Sequence, residues 1–236
     1  NLNNINADII FVKNIDNVVK EALIADTVLY KKALAGKLIK IVNEINFLLD
    51  GLLNYPSEEV LNNSVNFIKT VLGVDLALEA KNLESKIHLV YQYLNRPIRI
   101  AGMVKNDGEP GGGPFWVKDI KYGKSLQIVE EVQINKEDTE QHRILEASTH
   151  FNPVDLVCYV KNHKGNKFNL LKYVDQDAGL IADKSVDGNS IKILELPGLW
   201  NGAMADWITI FVEVPATTFN PVKTVFDLLK PSHQAD

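Results

Sequence analysis

Cysteine is almost absent. Cys158 stands alone among 236 residues, so no intrachain disulfide can form and no cysteine cluster can hold a metal. A basic excess is missing too: 25 Lys and Arg against 30 Asp and Glu leave a formal net charge of -5. That argues against a general nucleic-acid binder, whose phosphate contacts need a basic surface. A small anionic ligand needs only one or two placed cations and is not excluded. No apolar run reaches the length of a membrane span and no secretory leader opens the chain. Neither nucleic acid nor membrane is therefore expected as a partner, and the cytoplasm is the expected compartment. The histidines, His88, His142, His150, His163 and His233, show no ligand spacing, which speaks against zinc. No Gly-x-Ser-x-Gly elbow surrounds Ser148 and Thr149, so Ser-triad hydrolysis lacks support. The chain opens on Asn1 rather than Met and enters a buried-strand pattern almost at once, so a fragment is expected.

What is present is ordinary for a globular protein, with 46% hydrophobic and 23% charged residues. Ile9–Val12 is short, β-branched and followed by a polar turn, Asn14-Ile15-Asp16-Asn17, and reads as a buried strand. Leu34, Leu38, Ile41, Ile45, Leu48 and Leu52 then recur at helical spacing on one face. After a break at Pro56-Ser57, Leu61, Val65, Ile68 and Leu72 mark a second helix. Leu76, Ala80, Leu83, Ile87, Val90 and Leu94 mark a third. Three amphipathic helices in succession predict a small antiparallel bundle inserted between strands.

From Arg96-Pro97 onward strands are expected at Ile98–Val104, Phe115–Val117, Leu126–Val132, Val154–Val160, Phe168–Tyr173 and Ile191–Leu196. A short helix over Asn135–Ala147 takes Asn135 as its N-cap, and Ile208–Val214 reads as a central strand. The organisation expected is a strand and turn of an α/β core over 1–17, a helical insertion over 18–95, and the remainder of the core over 96–236.

The last element carries the clearest chemistry. Asn220 reads as an N-cap, Pro221 as the first helical residue, and Val222, Val225, Phe226 and Leu229 as one apolar face. Lys223 then falls in the first turn, where the helix dipole disfavours a cation unless a bound anion is shared with it. A solvated surface lysine is the competing reading. Asp16 lies where a strand ends in a turn, and a carboxylate there can hold Mg²⁺ against phosphate oxygens or cap the helix that follows. Glu109-Pro110-Gly111-Gly112-Gly113-Pro114 permits close approach of backbone to a ligand, or serves as a tight connection between strands. Of Glu130 and Glu131 only one can face inward, because side chains alternate along a strand. Trp200 and Trp207 read as core.

Phe211-Val212-Glu213-Val214-Pro215, then Phe219-Asn220-Pro221-Val222-Lys223 and Asp227-Leu228-Leu229, resemble the C-terminal catalytic motif of UDP-sugar pyrophosphorylases. There a strand is followed by Arg-x-x-Phe-x-Pro-x-Lys and a helix. The resemblance implies that Lys223 contacts phosphate, while Ala216 and Thr217 stand in the stretch where that family has its arginine. Asn14-Ile15-Asp16-Asn17 looks like the family's Asn-x-Asp-Asn turn, which implies Mg²⁺ on Asp16 and sugar contact for Asn17. Glu109-Pro110 with Gly111 and Gly112 resembles its Glu-Pro-x-Gly loop. Gln127-Ile128-Val129-Glu130 resembles its Gln-Val-Val-Glu strand, and Phe151-Asn152 its Phe-Asn pair, with Pro153 and Asp155 departing from the usual Gly-Asn. These imply sugar contacts for Glu109, Gly111, Gly112, Glu130 and Asn152. Asn95–Val117, Thr149–Val160 and Leu196–Lys230 resemble more closely still a bacterial domain-of-unknown-function family, DUF4301, a distant relative of those enzymes.

The fold so implied is α/β, part of a nucleotide-diphospho-sugar transferase-like (GT-A/Rossmann-like) mixed sheet with an inserted helical bundle. The activity so implied is Mg²⁺-dependent transfer of a nucleotidyl group from a nucleoside triphosphate to a sugar phosphate. Catalysis falls to Lys223 and Asp16, and the nucleotide to an N-terminal half absent from this sequence. Two competitors remain: a sugar-nucleotide or phosphate-binding protein without turnover, and a helical interaction module on an α/β scaffold.

Overall fold

The computed structural model describes residues 2–79, 82–106, 108, 111–119, 121–135, 137–199 and 202–234. In chain order the elements are β1 (Ile9–Lys13), α1 (Ile24–Asn54), α2 (Glu58–Val71), α3 (Leu83–Leu94), β2 (Ile98–Lys105), β3 (Gly113–Asp119) and β4 (Gly123–Val129). After these come α4 (Thr139–Glu146), β5 (His150–Phe151), β6 (Asp155–Tyr159), β7 (Leu180–Val186), β8 (Asn189–Glu195) and β9 (Ile208–Glu213).

The helical periodicity was sound where it was longest. Leu34, Leu38, Ile41, Ile45, Leu48 and Leu52 are all buried on α1, with Leu61 and Ile68 on α2. Ser57 caps α2, its side chain accepting from the Val60 N–H, and Asn82 caps α3 through the Ser85 N–H at 2.8 Å. The third helix starts at Leu83, later than its apolar spacing suggests. Gly73, at φ +71, turns the chain out of α2, and Val74 and Leu76 are buried in the extended segment that follows.

The main sheet runs β1-β6-β2-β9. β6 is antiparallel to both β1 and β2, and β9 is parallel to β2, so β1, β2 and β9 share one direction. β9 pairs only with β2 among the described residues, which makes it an edge strand rather than the central one expected from its apolar run. Its apolarity has another cause: Ile208 and Ile210 face the helices while Trp207 faces the opposite layer. Alternation along β2 divides the same way. Ile98, Ile100 and Val104 join the helices α1, α2 and α3 in one core, and Ala101 and Met103 join Ile128 of β4 and Met204 in a second. The three helices therefore cover one sheet face. Each fully buried Leu or Ile contributes about 1.5–3 kcal/mol relative to exposure.

Several local expectations shift. β4 ends at Val129, and Glu131–Gln133 is a 3-10 turn. Phe168–Tyr173 is not a strand: Leu170–Tyr173 forms a 3-10 turn because the Asn169 side chain accepts from the Leu171 N–H. α4 begins at Thr139, since Asp138 accepts from the Glu140 and Gln141 N–H groups while Asn135 instead turns the chain through the Glu137 N–H. β7 was not anticipated. It pairs with β8 around Asp187-Gly188, both at positive φ, as a type I′ hairpin requires.

Cys158 lies on β6, fully buried, its thiol pushed up to about 12 by burial with Arg99 opposing. Alkylation by iodoacetamide at neutral pH, followed by mass spectrometry, is expected to leave the native protein unlabelled and to proceed only in denaturant. Labelling of the native protein within minutes would mean that the sheet opens readily at β6.

Candidate functional site

The C-terminal ends of β1, β2 and β9 lie along one edge of the sheet, the edge where open α/β sheets bind ligands. There β1 runs into the Asp16-Asn17 turn. Asn17 is buried at 4% exposure, and both ends of its side chain are engaged. Its Nδ2 donates to the Thr218 carbonyl at 3.0 Å, and its Oδ1 accepts from the Asn220 N–H at 2.8 Å. The Val222 N–H donates to the Asp16 carbonyl at 2.9 Å, and Val18 N–H to the Asn220 carbonyl at 3.2 Å. These bonds stitch the first strand to the last segment of the chain, placing Lys223 one residue from the Asp16 contact.

Asp16 is half-buried, and its Oδ1 is fully enclosed without a hydrogen-bond partner. An enclosed carboxylate oxygen left unpaired is costly and calls for a cation or a donor. Lys13, at the end of β1, donates to the Asn17 carbonyl and sits within the electrostatic reach of Lys31, Asp155 and Asp16. Burial, then Lys31, draws its ammonium below the ordinary lysine value, with Asp155 and Asp16 opposing. Asp155, 4% exposed and opposite Lys13 in the sheet, forms an ion pair with Lys31 of α1. Lys13 and Lys31 were not among the residues singled out from sequence, and Asp155 was named only as a departure from the family's pattern. Only the register of β1 against β6 and the seating of α1 bring them together.

The structure brings Asp16, Asn17 and the Lys223 segment to one place. Lys223 itself is exposed and does not start a helix. Pro221 bridges Asn17 as extended chain, and the 3-10 turn begins at Val225 with Thr224 as its cap. Asp227 Oδ2 accepts from the Lys223 and Thr224 N–H groups at 3.0 and 2.8 Å, and the Lys230 ammonium, then these backbone bonds, hold its carboxyl well below the usual range. The expected helix over Pro221–Leu229 is thus corrected, along with the dipole argument for Lys223: the N–H groups that an anion would have taken are satisfied by Asp227. Val225, Phe226 and Leu229 are 71%, 75% and 69% exposed, so the expected apolar face is not docked.

The glycine loop and the β5–β6 corner adjoin one another. Glu109 lies outside the described residues, as does Trp200. Gly111 packs on Phe151, so that a Cβ there would come within 2.9 Å of Cδ2, and the buried Gly112 accepts from the Asn152 N–H at 2.8 Å. Asn152 is 0% exposed. Its Nδ2 donates to the Gly102 carbonyl at 2.8 Å and its Oδ1 accepts from the Val154 N–H at 3.1 Å. Val154 is held at φ 57, a region a β-branched residue seldom enters, and such strain gathers at functional sites. The strained corner aims Asp155 at Gly102, where a Cβ would come within 3.0 Å of the carboxylate. Glu130, half-buried just past β4, has its carboxyl raised above its ordinary value by burial and then by Glu195, the last residue of β8.

Among the described residues no group of three or more His, Cys, Asp or Glu gathers as a self-sufficient metal site. Asp16, with its single unpaired oxygen, fits a cation that takes one protein carboxylate and completes its shell from a phosphate. No described helix is long and apolar enough to cross a membrane.

No curated protein matches the chain. Among solved structures it is similar to a UDP-glucose pyrophosphorylase mutant from Leishmania major in complex with UDP-glucose. The two share 19% identity over 67% of this chain and 34% of that one, with a TM-score of 0.39. It is likewise similar to a UDP-glucose phosphorylase from Trypanosoma brucei, at 20% identity over 67% and 32% of the respective chains and a TM-score of 0.40. The chain thus spans about a third of the length of these structures. Residues 1–234 match the domain of unknown function DUF4301. Over nearly its whole length, then, this chain belongs to the DUF4301 family.

Proposed function

We propose that this chain forms the sugar-phosphate side of a sugar-1-phosphate nucleotidyltransferase, with the nucleotide-diphospho-sugar transferase (GT-A/Rossmann-like) arrangement of its sheet. In the reaction proposed, a phosphate oxygen of the sugar phosphate attacks the α-phosphorus of a nucleoside triphosphate, and the bond to the departing pyrophosphate breaks. Such chemistry needs positioning and charge neutralisation rather than a covalent nucleophile. The observation that carries the reading is the enclosed, unpaired Oδ1 of Asp16, beside Lys13 at the C-terminal edge of the parallel strands.

In this reading Asp16 holds Mg²⁺, which when bound supplies charge neutralisation at phosphate oxygens. Lys13, drawn below its ordinary value by partial desolvation and then by Lys31, adds a cation that an incoming phosphate would stabilise. Lys223, exposed and tethered next to the Asp16 contact, closes over the phosphate from the last segment of the chain. Asn17 and Asn152 act by shaping the turn and the corner, since their side chains are committed to backbone partners. Gly111 and Gly112, with Glu109 before them, and Glu130 remain the proposed sugar contacts.

Titration calorimetry with glucose 1-phosphate and a panel of other sugar phosphates tests the reading. Affinity is expected to rise with Mg²⁺, and Asp16→Asn to lower it about tenfold or more, roughly 1.4 kcal/mol. Heats that are absent across the panel, or that ignore both Mg²⁺ and Asp16→Asn, would sink it. Binding without pyrophosphate exchange would favour the non-catalytic alternative. The Ala216-Thr217 stretch, which lacks the arginine, already leans that way.

A further inference from the structure

Lys13 and Asp155 stand directly opposite one another where β1 pairs with β6. Opposite charges so placed ordinarily pair across the strands. These do not. The Asp155 carboxylate leans the other way, onto β2, where a Cβ at Gly102 would lie 3.0 Å from one of its oxygens, and it pairs with Lys31 of α1. Lys13 instead donates to the Asn17 carbonyl, past the end of its own strand. It has no ion-pair partner among the described residues.

A second ammonium faces the first. Of the charges around Lys13, Lys31 acts on it most strongly, ahead of Asp155 and then Asp16. The acid paired with Lys31 therefore does not cancel the repulsion between the two lysines. An ammonium has three donors. Lys13 spends one on Asn17 and Lys31 one on Asp155, which leaves two on each. The space beside them is open. Phe11 lies opposite Val157, which faces the helices, and alternation puts Lys13 on that same side of β1. Yet Phe11 is 50% exposed, so the helices do not cover the end of this strand. Lys31 reaches in from α1 with 17% of its side chain still exposed.

Two ammoniums held together without an acid apiece call for an anion, and its charge can be specified. A carboxylate offers a single charge and answers one of them. A phosphate monoester carries about -1.5 to -2 near neutral pH, with three oxygens that accept from separate donors. Asp16, whose effect on Lys13 is the weakest of the three, is the acid given above to a divalent cation.

We infer that Lys13 and Lys31 together bind the phosphate group of a phosphate monoester, so that the inserted helices supply a binding side chain and not scaffold alone. Asp155, bonded to Lys31, fixes where that ammonium stands. The inference deepens the reading above and rests on it for the identity of the ligand, the sugar phosphate. The two lysines bind phosphate without the metal.

Calorimetry with inorganic phosphate in metal-free buffer at constant ionic strength tests it, with acetate as the singly charged control. Phosphate is expected to bind at least about tenfold more tightly than acetate, and Lys13→Met to weaken it about tenfold. The deciding variant combines Lys31→Met with Asp155→Asn. It removes a cation and an anion together, so the net charge is unchanged and no buried charge is stranded. A purely structural ion pair predicts unchanged phosphate affinity in that protein, whereas the inference predicts a loss of about tenfold. Phosphate no tighter than acetate, or wild-type affinity in either folded variant, overturns it. Should the double variant fail to fold by circular dichroism, NMR of protein labelled with carbon-13 at the lysine ε carbons decides. Phosphate is then expected to shift the Lys31 signal, assigned by its loss in Lys31→Arg, and an unmoved signal overturns the inference. Sugar-phosphate affinity that ignores both Mg²⁺ and Asp16→Asn, beside phosphate binding that needs both lysines, would count against the transferase reading and leave this site standing.

Discussion

Asp155→Ala is expected to lower the stability of the fold by about 3 kcal/mol, the lower part of the range for breaking a buried ion pair. The carboxylate is 4% exposed and is the partner of Lys31, whose side chain keeps 17% of its exposure. Removing it leaves the Lys31 ammonium facing Lys13, already drawn below its ordinary value by burial and by Lys31 itself. Asp155→Asn separates charge from shape. It keeps the fit against Gly102 but not the charge, and is expected to recover only a small part of the loss. Adding Lys31→Met to Asp155→Ala removes the stranded cation and should restore part of the stability. The measurement is urea unfolding, in which the midpoint falls while the slope holds. A loss below about 1 kcal/mol in Asp155→Ala would show that the pair is solvated like a surface bridge.

Asn152→Ala is the second large loss expected, about 2–4 kcal/mol. It strands the Gly102 carbonyl and the Val154 N–H in the interior, at about 1–3 kcal/mol for each buried unsatisfied group. For a chain of this length that corresponds to a fall in Tm of roughly 5–15 °C. Asn152→Asp keeps the acceptor for Val154 and loses the donor to Gly102, and a smaller fall is expected. Because the side chain has no exposure, a comparable loss of stability with ligand affinity kept among the surviving folded molecules would mark Asn152 as a shaping residue. Loss of sugar-phosphate affinity at unchanged Tm would return it to direct contact.

The parts of the fold legible in the sequence are those governed by local period. The apolar faces of α1 and α2 announce themselves because burial on one side imposes a repeat of 3.6, and the first strand and the strand from Ile98 because they are short apolar runs rich in β-branched residues. The end of the chain was misread because a good local signal met a better competitor. Asn220-Pro221 can start a helix, but Asn220 is occupied by Asn17 and the cap passes to Thr224 with Asp227. β7 was missed because it stands with β8 as a solvent-facing hairpin, where Ile181 and Leu194 are each 65% exposed and no core enforces alternation. The candidate site was legible in part. The order of its motifs pointed to Asp16 and to the last segment, whereas the pairing of Lys31 with Asp155, 124 positions apart, has no local signature. Asn152 showed the limit of reading by residue type, since an amide suited to a sugar is equally suited to a backbone carbonyl and N–H.

The corner between β5 and β6 has a consequence for how length changes in this chain would be tolerated. Phe151 sits opposite Val104, and Leu156 opposite Ala101, so β5 and β6 together hold two residues more than the strand they pair with. Two is an even number. Side chains therefore stay in phase across the corner: Phe151 and Val157 both face the helices, while Leu156 and Cys158 face the other layer. Deleting one residue between Asn152 and Val154 would invert that phase and turn Leu156 and Cys158 toward the helices and Asp155 away from Lys31. Deleting two would flatten the corner but keep the parity. The gene can thus lose or gain codons here only in pairs without turning the strand inside out.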